Sequence, residues 1–144
     1  MFAPGAANPF FYNVDSTVGA ASQNKRDDVL LVQYFIKTIF DNPSLFSPAL
    51  PPLPLSPGQI FKVDGVAGPI TFRAIKHYQE TLVAQRRIAI APDGRVDAAK
   101  VGSGITTILF LNTDYKKVRA NDFNNIGAAF DCPKDLKGSV ALIA

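Results

Sequence analysis

The chain carries one histidine, His77, one cysteine, Cys132, and one glutamate, Glu80. That scarcity closes off most enzyme chemistry. A zinc cage of His and Cys ligands cannot be assembled within a single chain that has one residue of each type. Glycoside cleavage needs two convergent carboxyl groups. Eleven aspartates are present, but Asp64 and Asp93 each stand directly before a glycine and are better explained as turn formers. A Cys132–His77 nucleophile pair can be drawn on paper, yet neither residue lies in a stretch that resembles a nucleophile motif. The expectation is a protein that is not an enzyme and needs no cofactor or metal. Binding chemistry is what remains. Arg73 and His77 lie one helical turn apart and can line a polar edge for an anionic or amide-rich ligand, and Arg95 projects from a second turn.

Positioning these side chains falls to the run from Val63 to Gln79, which reads as a tight glycine turn opening a helix. Gly65 and Gly68 supply backbone conformations that a side chain penalises. Asp64 can close the turn by accepting from backbone N–H groups ahead of it. Pro69 suits a first helical position, where its missing N–H costs nothing, and Thr71 can bond back to the turn from the helix's first turn. Ile70, Ala74, Ile75, Tyr78 and Leu82 then recur at helical spacing as one apolar face. Tyr78 belongs to the core side of that helix, and His77 to its flank.

Taken in order, these residues resemble the central motif of the peptidoglycan-binding-like domain family, a small three-helix bacterial module usually attached to cell-wall hydrolases. Its pattern is matched by Asp64, Gly65, Gly68, Thr71, Ala74, Ile75, Tyr78 and Gln79. Upstream, Asp27-Asp28-Val29-Leu30-Leu31-Val32-Gln33 is similar to the family's first-helix opening, with Asn24 as the expected N-cap. Downstream, Pro92-Asp93-Gly94-Arg95-Val96-Asp97 supplies a second turn, and Ile105 to Asn112 a third helix. The resemblance covers residues 24–118. It implies a mainly α fold: a compact three-helix bundle within a single domain of residues 1–144, with a proline-rich loop and extended decorating segments at 1–23 and 119–144. It also implies non-catalytic binding of bacterial cell wall peptidoglycan. The ligand is expected along the edge made by the two turns and the second helix, with Arg73, His77 and Arg95 as polar contacts and with Asp64, Gly65, Gly68, Thr71, Asp93 and Gly94 building the turns.

The chain departs from that family in several places. The link between the first two helices contains Pro43, Pro48, Pro51, Pro52, Pro54 and Pro57, which favours extended backbone over helix. Asp97 stands where a glycine is common, and the third helix lacks the family's frequent tryptophan. The proline-rich link interleaves Leu45, Phe46, Leu50, Leu53 and Leu55, so it must either fold over the bundle or dock on another chain. The first helix raises the same alternative. Val29, Val32, Ile36, Ile39 and Phe40 fill one face, while Leu30, Leu31 and Tyr34 point elsewhere. Those three need cover from a tail, with Phe10-Phe11-Tyr12 and the stretch Phe123 to Phe130 as candidates, or else they join Leu53 and Leu55 in a partner surface.

With 144 residues, 47% of them hydrophobic, the chain can bury one core and is too short to expect two. No apolar run reaches membrane-spanning length, so no membrane insertion is expected. The first ten residues lack a basic region followed by a continuous apolar stretch and do not read as a secretory signal. A lone cysteine excludes an intramolecular disulfide and fits a reducing compartment. The expected location is therefore cytoplasmic at synthesis. Delivery to the periplasm, or carriage on a phage particle or a type VI or other contractile secretion machine, is what the resemblance suggests. The formal charge of +3 is mild and its cations cluster near helix ends, with no basic stripe interleaved with stacking aromatics, so nucleic acid is not an expected partner. The competing class is a structural or adaptor protein that uses the same fold to bind another protein.

Overall fold

The computed structural model describes residues 11–141 apart from 101 and 103. The chain is mainly helical. In order it runs β1 (Val18–Gly19), α1 (Arg26–Phe40), α2 (Pro69–Arg86), β2 (Arg95–Val96), α3 (Thr107–Val118) and α4 (Lys134–Ala141), with 3-10 turns at Pro43–Leu45 and Phe123–Ala128. Helices stand at the three expected places, as α1, α2 and α3, and α4 adds a fourth that also packs on α1. Pro69 occupies the first position of α2, where its fixed φ is already helical and no N–H is lost from the ladder. The third helix begins at Thr107 and runs to Val118, two residues later in onset than the sequence pattern implied and several longer at its end.

Helix α1 is the central element, packed against α2, α3, α4 and β1. Its residues are buried almost all round, as expected of a helix apolar on every side. Leu30, Leu31 and Tyr34 are fully buried within this one chain, so a partner surface on those three side chains is corrected: they are core. Their cover comes from α3 and from the C-terminal segment. The Tyr34 hydroxyl donates to Asp131 Oδ1 at 2.7 Å and lies 3.0 Å from the Tyr115 hydroxyl. Tyr12 and Phe123 stack edge-on to each other at 5.6 Å, and Tyr12 also meets Phe35. Phe130 does not join them. It is 86% exposed, with the Arg119 guanidinium 5.0 Å from its ring. Phe10 lies outside the described residues.

The N-terminal segment is structural rather than decorative. Asn112 Oδ1 accepts from the Tyr12 N–H at 2.6 Å while its Nδ2 donates to the Tyr12 carbonyl at 2.8 Å, and β1 pairs antiparallel with β2, Val18 opposite Val96. Asn24 is not the N-cap of α1. Its φ is +52°, and its amide grips Gly19 instead, accepting from the N–H at 2.8 Å and donating to the carbonyl at 2.9 Å. Capping and strand-bracing compete for one side chain, and bracing wins because it holds β1 onto the bundle. The C-terminal segment departs from the expected extended form. Pro133 precedes α4, Asp135 lies in its first turn, and Leu136 is fully buried, so an apolar anchor and a favourable N-terminal charge make a helix there.

The C-terminal segment is also held electrostatically. Arg119 grips Asp131 through two nitrogens, at 2.6 and 2.7 Å, and these hydrogen bonds are the main reason that the Asp131 carboxyl lies below its ordinary value. Burial pushes the Tyr34 hydroxyl up, and the Tyr115 hydroxyl up to about 12, so both stay neutral donors beside that carboxylate. A carboxyl held low in the folded state adds stability above its unfolded value of about 4 and loses it as pH falls through the folded value. Urea unfolding of the wild type is therefore expected to show a loss of stability below about pH 4 that is smaller in Asp131→Asn. At pH 7 the variant should lose no more than about 1 kcal/mol, because the pair is partly solvated. An identical acid dependence in the two proteins counts against this role.

Candidate functional site

Two turns of the same construction flank α2. In the first, Gln33 of α1 is fully buried. Its Oε1 accepts from the N–H groups of Asp64 at 3.0 Å and Gly65 at 2.9 Å, and its Nε2 donates to the Val66 carbonyl at 3.1 Å and to Thr71 Oγ1 at 3.0 Å. Asp64 Oδ1 closes the turn by accepting from the Val66 N–H at 3.0 Å. In the second, Gln79 of α2 repeats the pattern one helix later. Its Oε1 accepts from the Gly94 N–H at 2.8 Å, and its Nε2 donates to the Arg95 carbonyl at 2.8 Å and Thr107 Oγ1 at 3.0 Å, while Asp93 Oδ1 accepts from the Arg95 N–H at 2.9 Å. Each glutamine thus ties a helix, a turn and the start of the next helix through one primary amide, whose two donors and one acceptor oxygen suit the task. The fold contains an internal repeat, Gln33–Asp64–Gly65–Thr71 and Gln79–Asp93–Gly94–Thr107. Both threonines act as acceptors for the glutamine rather than bonding back to the turn themselves.

Gly65 and Gly94 take φ of +76° and +73°, the left-handed region in which a side chain is penalised. Gly68 does not: its φ is −145° and its α-carbon faces open space, so the expectation that it also needs glycine is corrected. A β-carbon on Gly65 would stand 2.7 Å from Arg26 Nη1, the atom that donates to the Asp64 carbonyl at 2.8 Å. Gly65→Val is therefore expected to lower stability by about 1–2 kcal/mol through backbone strain and displacement of Arg26. Gly68→Ser should be neutral or stabilising by about a few tenths of a kcal/mol, since serine is a good N-cap for α2. Thermal melts of the two variants check this, and equal midpoints would remove the geometric account of the first turn.

An open groove of about 430 Å³ lies beside the first turn, bounded by residues 58–60, Lys62, Asp64, Val66 and the start of α2. Its rim exposes Ile60 at 66% and Val66 at 65%, large apolar side chains in water, with Lys62 exposed between them. A second groove of about 270 Å³ lies at the second turn, with Arg95 and Ile105 on its wall. Val66 and Arg95 occupy the same place in the repeat, so the first groove is apolar where the second is cationic. Among the described residues no cluster of His, Cys, Asp or Glu could hold a metal ion, and no helix is long and apolar enough to cross a membrane.

The three residues expected to contact a ligand do not converge. Arg73 donates to Gln59 Oε1 at 3.2 Å, at the edge of the first groove. His77 faces the proline-rich link: its ring packs on Phe40 at 5.6 Å, and its Nε2 lies 3.2 Å from the Pro51 carbonyl oxygen, which can only accept. Arg95 is held over β1 by its Nε bond to the Ala20 carbonyl at 3.1 Å. The link draws Arg73 and His77 to itself, and a helical wheel alone does not show those partners. Sequence reasoning missed Ile60, Lys62 and Val66 as groove residues. Their one signal is an exposed apolar pattern immediately before and inside a tight turn.

The link is itself fixed by a buried polar cluster. Asp114 accepts from the Tyr78 hydroxyl at 2.6 Å and from Arg86 Nη1 at 2.8 Å. Burial, and then the Asp114 charge, raise the Tyr78 hydroxyl well above its ordinary value, so it stays protonated as the donor. The same Arg86 guanidinium lies 5.3 Å from the centre of the Phe46 ring, with Lys117 Nζ at 4.9 Å. Cys132 is buried, and burial pushes its thiol up to about 11, which makes it a poor nucleophile at neutral pH. Comparison of the chain with protein-family models, with curated proteins and with solved structures gave no match in any of the three.

Proposed function

We propose that the protein is a non-catalytic module that binds bacterial cell wall peptidoglycan, and that the groove beside the first turn is where it does so. The observation that carries this reading is the groove itself: Val66 stands exposed on a turn that Gln33 holds rigid from beneath, with Ile60 and Lys62 exposed just ahead of it. Preorganised, exposed apolar and cationic groups on a fixed scaffold are how a binding site keeps its ordering cost low. The turn residues Asp64, Gly65 and Thr71 serve the scaffold, and the groove residues serve the ligand. Arg73, His77 and Arg95 have other partners, so the ligand contacts move to Ile60, Lys62 and Val66.

The test is retention on purified sacculi. The wild type should sediment with them, and the double variant Lys62→Glu/Val66→Asp should be released by about tenfold or more, with its melt little changed because surface substitutions usually alter stability by less than about 0.5 kcal/mol. Arg95→Ala should sediment like the wild type. Failure of the wild type to sediment overturns the reading. A second reading, an adaptor that binds another protein, draws on Phe130, which is 86% exposed. A stoichiometric protein partner lost on Phe130→Ala, together with no sacculus retention, would favour it.

A further inference from the structure

We infer that residues 60–63 are an open edge on which an extended peptide docks by backbone pairing, so that the first groove takes the short peptide stem of the wall polymer and not its sugar. This rests on the wall-binding reading above and adds which part of the polymer is read, and how.

The backbone of this segment has no partner among the described residues. Among the described residues, none of the N–H or C=O groups of Ile60, Phe61, Lys62 and Val63 takes part in a hydrogen bond, and the segment belongs to no helix or strand. Backbone groups in a folded protein are nearly always paired or solvated. In an extended chain alternate residues present their N–H and C=O groups to the same edge, so Ile60 and Lys62, both exposed and both lining the groove, offer the template that strand addition uses. The side chains alternate as in a strand, Ile60 out, Phe61 buried, Lys62 out. Phe61 anchors the segment, while Ile60 and Lys62 face a ligand on either side of it.

The groove's chemistry favours peptide over sugar. No aromatic side chain lines it, so a sugar ring has no stacking face. Gln33 is engaged in the turn, and Gln59 Oε1 accepts from the Ser56 N–H at 2.9 Å and from Arg73. Peptide N–H and C=O groups repeat at the spacing of the backbone of residues 60–63 and can pair with it in register, which the hydroxyls of a sugar ring do not. Lys62 supplies the complement to a stem carboxylate. Four residues of extended chain span roughly 13 Å, the length of a short peptide rather than of a long protein strand.

The experiment is amide hydrogen exchange on the whole labelled chain, with three probes: a synthetic stem tetrapeptide of alternating chirality bearing a free carboxylate, an all-L tetrapeptide of the same composition, and tetra-N-acetylglucosamine. The stem peptide should slow exchange at two or more of residues 60–63 by about tenfold, and the sugar should not. A stem peptide N-methylated along its backbone leaves the protein untouched and should bind about tenfold more weakly, since its pairing donors are gone. Protection by the sugar alone, equal binding of the N-methylated peptide, or tighter binding of the all-L peptide each overturns the inference, the last in favour of a protein strand. Sacculus retention without peptide protection leaves wall binding standing and removes backbone pairing. Peptide protection without sacculus retention does the reverse.

Discussion

Gln33→Leu is expected to destabilise the protein by about 3 kcal/mol, a large share of the roughly 5–15 kcal/mol that holds a domain of this size together. The leucine fills similar volume but strands the N–H groups of Asp64 and Gly65, the Val66 carbonyl and the Thr71 hydroxyl, each bonded to Gln33 at 2.9–3.1 Å. A buried polar group left without a partner costs about 1–3 kcal/mol, and partial access to water at the turn limits the sum. Gln79→Leu should cost somewhat less, because one backbone N–H rather than two depends on it. Urea unfolding with the slope held constant reads the difference. A loss below about 1 kcal/mol for Gln33→Leu would mean that water replaces the amide and that the repeat is not what rigidifies the groove.

Replacing residues 45–57 by glycine and serine is expected to lower the stability of the isolated chain by about 5 kcal/mol, enough to leave it marginally folded. Within that span Phe46 and Leu50 are buried and Leu53 packs against the core, while Leu45 and Leu55 stay exposed. Phe46→Ala alone should cost about 3 kcal/mol, the low end for a buried phenylalanine, since the site lies near the surface between two flexible cations. The link is thus a structural lid over α2 and α3, bonded to His77 through Pro51 and to Gln85 through Ala49. A partner role for Leu53 is corrected, because its side chain turns inward, and Leu55 alone keeps the exposure that role requires. An unchanged melt for the replaced chain would reverse this conclusion.

The helices were legible because their signals are local. Pro69, the apolar spacing from Ile70 to Leu82 and the turn at Asp64-Gly65 each act within a few residues, and α2 follows from them. Asn24 shows where local reasoning stops. A good N-cap residue by type, it serves Gly19 instead, where its one amide satisfies both the N–H and the carbonyl of that β1 residue. The positions of Arg73 and His77 on the helix were also readable, but their partners were not. Those partners lie in a link more than ten residues away, whose path depends on where Phe46 and Leu50 find cover.

By itself the sequence determined a mainly helical chain, the three core helices, and two glycine turns that bracket the second of them, because capping, periodicity and left-handed φ are set by neighbouring residues. Tertiary structure alone decided that Gln33 and Gln79 knot those turns into an internal repeat, since each amide reaches groups 14–38 residues away in the chain. It also decided that the apolar first helix is covered by the chain's own C-terminal segment, and that Ile60, Lys62 and Val66 stand exposed around the first groove. Burial is a property of what packs on a residue, and no pattern within one helix or one turn specifies its cover.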